Sequence, residues 1–153
     1  MNKAVSFVLF LLVVVGGGLT IGTLTIPGEW YAALEKPFFN PPNWVFGPVW
    51  TALYLMIAFV GWRVWHRKER GALMSLWVLQ MGLNFLWSPI FFAAQQPLWA
   101  LGVIVLLFLT LLLFMRLAWR QDRLSAVLFV PYLAWVGFAT LLNGAIVVLN
   151  SGQ

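Results

Sequence analysis

The chain has 153 residues, of which 63% are hydrophobic and 8% are charged, and its formal net charge is +5. Soluble domains carry about 25% charged residues, so this composition indicates an integral membrane protein, with one domain over residues 1–153. The sequence contains no cysteine, which excludes disulfides, thiolate metal sites and a cysteine nucleophile.

Five apolar runs are each close to the roughly 20 residues that a membrane-spanning helix needs. They predict an all-α bundle of five transmembrane helices at residues 4–26, 44–65, 72–94, 98–119 and 124–149. The first run is long and lacks an Ala-x-Ala cleavage site, so we expect it to be a retained helix rather than a signal peptide.

The basic residues predict the orientation of this bundle. Five spans place the N-terminus and the loops near residues 67 and 122 on one side, which then carries eight of the nine basic residues. Lys36 lies opposite. The positive-inside rule predicts a cytoplasmic N-terminus and an outer C-terminus if the protein lies in a plasma membrane. Because topology explains the positive charge, no nucleic-acid partner is expected, and the charge run at residues 63–70 is interpreted as a membrane anchor.

The connection at residues 27–43 is too aromatic for an ordinary aqueous loop. Its large apolar side chains are Trp30, Tyr31, Leu34, Phe38 and Phe39. Apolar surface of this extent needs a cover, which is the bundle mouth, the lipid interface or a ligand. The turn formers Pro27 and Gly28 and the stiff pair Pro41 and Pro42 predict a structured aromatic and proline-rich lid rather than a flexible loop.

Three of the predicted helices carry faces that suit either helix packing or a ligand. In the first helix these residues are Gly16, Gly17, Gly18 and Gly22. In the third they are Gln80, Asn84 and Ser88, whose four-residue spacing places them on one face. In the fifth they are Tyr132, Trp135, Ala139, Leu142 and Asn143. The polar side chains must face protein, water or ligand, because unsatisfied amides are costly in hydrocarbon.

The sequence also excludes several kinds of chemistry. No Asp, Glu, Lys or His lies deep within a predicted span, which argues against a pump, a proton antiporter or an ion channel. The single histidine, His66, is expected at the membrane interface, and the four acidic residues lie in loops, so no metal site or hydrolytic site is predicted. The abundant aromatic surface instead suits a flat, apolar, conjugated ligand.

Four motifs closely resemble the tryptophan-rich sensory protein and translocator protein family, TspO/TSPO. The lid and second helix contain Trp30-Tyr31-x-x-Leu34-x-Lys36-Pro37-x-x-x-Pro41-Pro42 and Trp44-Val45-x-Gly47-Pro48-Val49-Trp50-x-x-Leu53-Tyr54. The third helix contains Leu83-Asn84-x-x-Trp87-x-Pro89-Ile90-Phe91-Phe92. The fifth contains Pro131-Tyr132-Leu133-Ala134-Trp135-x-x-Phe138-Ala139-Thr140-x-Leu142-Asn143.

The resemblance implies a membrane receptor or regulator that binds porphyrins, protoporphyrin IX or haem, beneath the first loop, with a role in tetrapyrrole transport or stress sensing. It also implies binding of synthetic isoquinoline-carboxamide and benzodiazepine ligands, formation of a homodimer, and no required cofactor. Carried over by position, the ligand-binding residues are Trp30, Tyr31, Phe46, Gly47, Val49, Trp50, Tyr54, Asn84, Trp87, Trp99, Leu106, Trp135, Ala139 and Leu142, with Thr20 and Thr23 as weaker candidates.

The resemblance implies one alternative function, and the chain departs from the family at the motif for sterols. The alternative is an enzyme that degrades protoporphyrin IX under light, with Trp50 and Trp135 as its catalytic residues. The departure concerns sterols, because the family's sterol motif needs a tyrosine followed by a basic residue at the end of the fifth helix. Here Asn143 is followed by Gly-Ala-Ile-Val-Val-Leu-Asn, so sterol recognition is not expected at that position.

Overall fold

The computed structural model describes residues 1–152, and in this part of the chain it contains helices and no strands. Five helices are long and apolar enough to cross a membrane. In chain order the first to fifth helices are Lys3–Leu24, Asn43–Trp65, Gly71–Ala93, Pro97–Gln121 and Arg123–Leu149. Each end lies within two residues of its predicted position. The predicted fold class, a five-helix membrane bundle, is confirmed.

The five helices pack as a ring. The first helix lies against the second and third, the third packs on the fourth, and the fourth packs on the fifth. The start of the fifth helix, Arg123–Leu128, returns to the second and closes the ring at the end that carries the basic loops. Large side chains such as Phe114 and Phe129 are fully buried in the core. The end with the loops near residues 67 and 122 is the basic end of the bundle, and the opposite end, with residues 27–43, is the lid end.

Two glycines let the first helix approach its neighbours closely. A Cβ atom on Gly17 would lie 2.7 Å from the Phe85 ring, and one on Gly18 would lie 2.4 Å from the Tyr54 ring. Gly16 and Gly22 have no such neighbour within 4 Å. Helix packing therefore explains Gly17 and Gly18, because only a residue without a side chain fits there.

The polar side chains of the third helix are hydrogen-bonded to neighbouring helices. The Tyr132 hydroxyl donates to Gln80 Oε1 at 2.8 Å and accepts from Asn84 Nδ2 at 2.7 Å. Ser88 Oγ lies 2.7 Å from Oγ1 of Thr25, which caps the end of the first helix. Interhelical bonding thus accounts for all three predicted polar positions, and it removes the cost of placing them in a membrane.

An ion pair in which only the carboxylate is fully buried joins the second helix to the turn before the fifth. Arg63 Nε donates to both carboxylate oxygens of Asp122, at 3.0 and 2.9 Å, and Ser125 Oγ donates to Oδ2 at 2.6 Å. Arg67 Nη1 lies 3.8 Å from the same oxygen. Burial alone would raise the pKa of Asp122, but the bonds from Arg63 and Ser125 and the charges of the two arginines lower it below its ordinary value. The sequence pattern predicted only a membrane anchor here.

The lid is ordered and partly helical. Glu29–Ala33 forms a short helix, and Pro42 continues in an extended conformation, with φ −56° and ψ 145°, into a single helical turn at Asn43–Val45. Asn150, at the end of the fifth helix, fastens the middle of the lid. Its side chain accepts from Glu35 N at 3.0 Å and donates to Glu35 O at 2.9 Å. The lid is therefore held at both ends by helices and in the middle by Asn150.

The bundle covers only part of the lid's apolar surface. Tyr31 is buried, and its ring packs edge-on against Phe91 and Phe92 with centroids 6.2 and 5.3 Å away. Phe38, in contrast, is 100% exposed, and Trp44, which follows the lid directly, is 75% exposed. The bundle mouth therefore does not cover Phe38, whose ring contacts only the edge of Phe39 among the aromatic rings, and of the three covers expected for the lid this leaves the lipid interface or a ligand.

Replacing Asn150 by alanine is expected to loosen the lid, because the Glu35 backbone loses two hydrogen bonds. At about 1 kcal/mol per bond, or about 2 kcal/mol for the two together, amide exchange at Glu35 should become roughly 30-fold faster. Hydrogen exchange followed by mass spectrometry measures this effect. Ser151→Ala is the matched control, because its hydroxyl bonds only to Val148 O three residues earlier. Equal protection of the lid in both variants would show that Asn150 does not hold it.

The predicted homodimer stays a prediction. Gly71 and Gly82 are small residues of the third helix, where a second copy could pack closely, and both have open space where a side chain would be. Both are exposed on the isolated bundle. Their positions leave this face free for lipid or for a second copy, and chemical crosslinking would distinguish the two.

Candidate ligand-binding site

A cavity of about 610 Å³ lies at the lid end of the bundle, among all five helices. Beyond Leu128 the fifth helix packs mainly along the fourth, and the space lies where its packing against the second is looser. Tyr31, Pro27 and Asn43 contribute the lid side of its wall. The volume lies within the range of roughly 300–1,000 Å³ that is typical of small-molecule sites.

The structure brings most of the predicted ligand-binding residues to this wall. They are Tyr31, Phe46, Gly47, Trp50, Tyr54, Asn84, Trp87, Trp135, Ala139 and Leu142, together with the weaker candidate Thr23. They come from the lid and from four different helices. Their meeting follows from the ring packing, since the faces that carry them all point to the same gap.

Four predicted residues and one weaker candidate do not lie on this wall. Trp30 packs edge-on against Phe91, 6.0 Å between centroids, and Val49 packs against the core. Trp99 and Leu106 are 72% and 55% exposed, so they face away from the bundle. Thr20 is exposed, and its hydroxyl bonds to Gly16 O at 2.7 Å. A molecule in the cavity is not expected to touch Trp99 or Leu106.

The wall also contains residues that were not predicted. They are Gly18, Leu19, Ile21, Gly22, Thr25, Ile26, Pro27, Asn43, Thr51, Ser88, Phe91, Phe92, Ile104, Leu107, Asn143 and Ile146. The glycine-rich face of the first helix and the polar stripes of the third and fifth pointed to Gly18, Gly22, Ser88 and Asn143. Nothing in the pattern of the fourth helix singled out Ile104 and Leu107.

Aromatic rings are fixed around the cavity by contacts with each other and by hydrogen bonds. Trp87 stacks on Phe91 with centroids 5.1 Å apart and an interplanar angle of 28°, and its Nε1 donates to Asn143 Oδ1 at 3.0 Å. Trp50 lies 5.4 Å from the Tyr54 ring. Such restrained rings present flat apolar faces at a small cost in conformational entropy when a ligand binds.

Few polar groups on the wall are without partners. Asn84 Oδ1 accepts from the Tyr54 hydroxyl at 3.3 Å, and Asn143 Nδ2 donates to Pro97 O at 2.9 Å. The indole Nε1 of Trp135 is buried, and no residue of the described chain accepts its hydrogen bond. Buried donors are normally paired, so this indole N–H is the group on the wall with the most to gain from a ligand acceptor.

The wall carries no acidic, basic or histidine side chain in the described part of the chain. Residues 1–152 also contain no cluster of three or more His, Cys, Asp or Glu side chains that could hold a metal ion. His66 lies at the basic end, where its Nε2 is 2.8 Å from Ser6 Oγ. Burial raises the pKa of Tyr31 on the lid, so its hydroxyl is neutral at physiological pH. The site is thus a neutral, aromatic one.

Comparison with known proteins agrees with the motifs in the sequence. The model of the TspO/MBR family matches residues 8–149. The chain is 37% identical to a tryptophan-rich sensory protein of Cereibacter sphaeroides over 150 residues, covering 98% of this chain and 95% of that protein. It is 43% identical to the tryptophan-rich protein TspO of Archaeoglobus fulgidus, covering 80% of each chain. It is 42% identical to the human translocator protein, covering 82% of this chain and 79% of that protein.

The family match spans all five helices and the lid, which is the part of the chain that forms the cavity. With five helices long and apolar enough to cross a membrane, the chain is a multi-pass integral membrane protein. The resemblance seen in the sequence motifs is confirmed, and the chain belongs to the TspO/MBR family.

Proposed function

We propose that the protein is a membrane receptor or regulator that binds a porphyrin, such as protoporphyrin IX or haem, in the cavity at the lid end. Tetrapyrrole transport or stress sensing would be its role in the cell. The proposal rests on one observation, a cavity of about 610 Å³ whose described wall consists of fixed aromatic rings and other uncharged side chains. The proposed orientation places the lid outside and the basic end in the cytoplasm.

The chemistry of the wall favours a flat conjugated ligand over a small polar one. Trp50, Trp87 and Trp135 all lie on it. Ring stacking adds about 0.5–1.5 kcal/mol per pair beyond the burial of apolar area. The relatives named as a sensory protein and as a translocator protein agree with a receptor role. Haem would be held without a histidine ligand from the wall, so free-base and iron porphyrins should bind with similar affinities.

The test is a titration of the purified protein with protoporphyrin IX, followed by quenching of tryptophan fluorescence. Trp135→Phe should weaken binding about tenfold, since the variant loses ring area and the unpaired indole N–H. Trp99→Phe is the matched control, because Trp99 faces away from the bundle. Unchanged affinity in Trp135→Phe, or an equal loss in both variants, would place the ligand outside this cavity.

The second candidate function is a light-dependent enzyme that degrades protoporphyrin IX. It is favoured by the presence of Trp50 and Trp135 on the wall of the same cavity, from the second and fifth helices. An indole close to an excited porphyrin can quench it by giving it one electron, which leaves an indole radical cation and a porphyrin radical anion.

Enzymatic degradation requires that more than one equivalent of porphyrin be consumed per protein under illumination. Absorbance spectra in light and in the dark follow the loss of ligand. A rate no faster than that of free porphyrin in the same detergent would exclude the enzyme and leave the receptor proposal standing.

A further inference from the structure

An open groove lies on the lid beside the cavity. Its wall includes Lys36 and Asn40, and it shares Pro27, Tyr31 and Asn43 with the wall of the cavity. The two spaces therefore adjoin each other at these lid residues. A ligand that fills the cavity could reach the groove with a short substituent.

Lys36 brings a positive charge to this groove. Its ammonium group donates to Leu34 O at 3.1 Å and to Ala32 O at 3.4 Å, and it lies 4.6 Å from the centre of the Tyr31 ring. No carboxylate of residues 1–152 lies within ion-pair distance of it. The arginines at the basic end differ in this respect, because Arg63 and Arg67 share Asp122.

Tyr31 connects the charged groove with the apolar cavity. Lys36 lies over its ring, while Phe91 and Phe92 pack edge-on against the same residue and line the cavity. Tyr31 is therefore the side chain that connects the apolar wall of the cavity with the ammonium group of Lys36. This arrangement matches a molecule with a flat apolar body and an acidic side chain at one edge.

We propose that Lys36 binds a carboxylate of the ligand, and that the site thereby selects flat aromatic acids over their neutral esters. The inference rests on the proposed function and names the part of the ligand that the lid recognises. A porphyrin with propionate side chains has this chemistry, since its macrocycle suits the cavity and a propionate would reach past Tyr31. The ammonium group would exchange one or both backbone carbonyl partners for the carboxylate.

The competing explanation is structural. The two bonds from Lys36 to backbone carbonyls follow the end of the short lid helix and could serve only to stabilise it. In that case a change at Lys36 would affect all ligands alike. The charge of the ligand therefore separates the two explanations.

The experiment compares protoporphyrin IX with its dimethyl ester, in the same detergent, on wild type, Lys36→Gln and Lys36→Arg. Lys3→Gln, at the exposed basic end, is the matched control for loss of one positive charge. We expect Lys36→Gln to weaken binding of the diacid about tenfold and to leave binding of the diester unchanged. Lys36→Arg and Lys3→Gln should retain the wild-type affinities, and the preference for the diacid should fall as salt is raised.

Each outcome decides the proposal. An equal loss of both ligands in Lys36→Gln would assign the residue a structural role and overturn it, as would wild type that binds diester and diacid equally. Either result would leave the porphyrin-binding proposal intact if Trp135→Phe still weakens binding. Failure of wild type to bind either porphyrin would overturn both proposals.

Discussion

Gly18→Ala is expected to destabilise the bundle by about 2 kcal/mol and to weaken porphyrin binding. The added Cβ atom would lie 2.4 Å from Tyr54 Cε2 and 2.7 Å from Cζ, closer than real Cβ contacts allow. Overpacking of this kind costs about 1–3 kcal/mol. The Tyr54 ring would have to move, and its 3.3 Å bond to Asn84 would be lost. Since both Tyr54 and Asn84 line the cavity, the shape of the site changes with the packing.

Gly16→Ala is the matched control for this prediction. It is in the same helix and has no neighbour within 4 Å of the added atom. Alanine has a higher helix propensity than glycine by about 0.5–1 kcal/mol, so Gly16→Ala should be neutral or slightly stabilising. Thermal unfolding in detergent and the protoporphyrin IX titration report the two effects separately.

A second change tests the cause of the Gly18 effect. In Gly18→Ala/Tyr54→Leu, the ring atoms that clash are absent, so part of the lost stability should return. If Gly18→Ala is as stable as wild type, or if the Leu change brings no recovery, the contact with Tyr54 does not limit the packing of the first helix.

The fold was predictable because the apolar runs that determine it are visible along the whole sequence. Each apolar run is as long as a bilayer is thick, and a helix is the only way to satisfy its backbone there. It was also predictable that the polar residues of the third helix share one face, because side chains four residues apart point to the same side of a helix. The sequence could not say which partner each residue would meet, and Gln80 and Asn84 turned out to share the hydroxyl of Tyr132.

The rotation of the fourth helix about its own axis could not be predicted from the sequence pattern. Leu106 was predicted to line the cavity and faces outward, whereas Leu107 lies on the wall. Each residue turns a helix by about 100°, so one position separates inside from outside. The fourth helix has apolar residues on every face, because it meets lipid on one side and protein on the other, and its sequence therefore contains no signal of its rotation.

Two side-chain contacts, one at each end of the bundle, were not predictable for a different reason. Asn150 meets Glu35 across 115 residues, and Asp122 meets Arg63 across 59 residues. Neither contact leaves a local pattern, since both depend on the order of helices in the ring. They share a physical effect, because each joins a connecting segment to a distant helix. The Asn150 contact fixes the lid above the cavity, and the Asp122 contact fixes the basic end.

Arg63→Gln is expected to lower the free energy of unfolding by about 3 kcal/mol. The Asp122 side chain is 2% exposed, so removal of its main partner leaves a buried carboxylate with only Ser125 and the more distant Arg67. Breaking a buried pair typically costs about 3–5 kcal/mol, and the lower value applies because Arg67 remains within 4 Å. Chemical unfolding in mixed micelles measures the loss, with Arg120→Gln, an exposed charge near the same end, as the control.

Asp122→Asn should cost less than Arg63→Gln, although both break the same pair. The Arg63 side chain is 35% exposed and can turn to water when its partner is neutral. The Asp122 side chain is 2% exposed, so its carboxylate cannot reach water when Arg63 is replaced. The double variant should therefore resemble Asp122→Asn rather than the sum of the two. Equal losses in the two single variants would contradict the idea that burial of the carboxylate dominates.

The pH dependence of stability gives an independent test of the same pair. The pKa of Asp122 is lower in the folded protein than its ordinary value of 3.8, so the folded state favours the ionised form. The stabilisation is then complete above that ordinary value and is lost as the pH falls through the lower folded value. Wild type should lose stability over this acidic interval, while Asp122→Asn, which has no proton to bind there, should lose less. Parallel curves for the two proteins would show that other carboxyl groups, and not this ion pair, account for the acid sensitivity of the bundle.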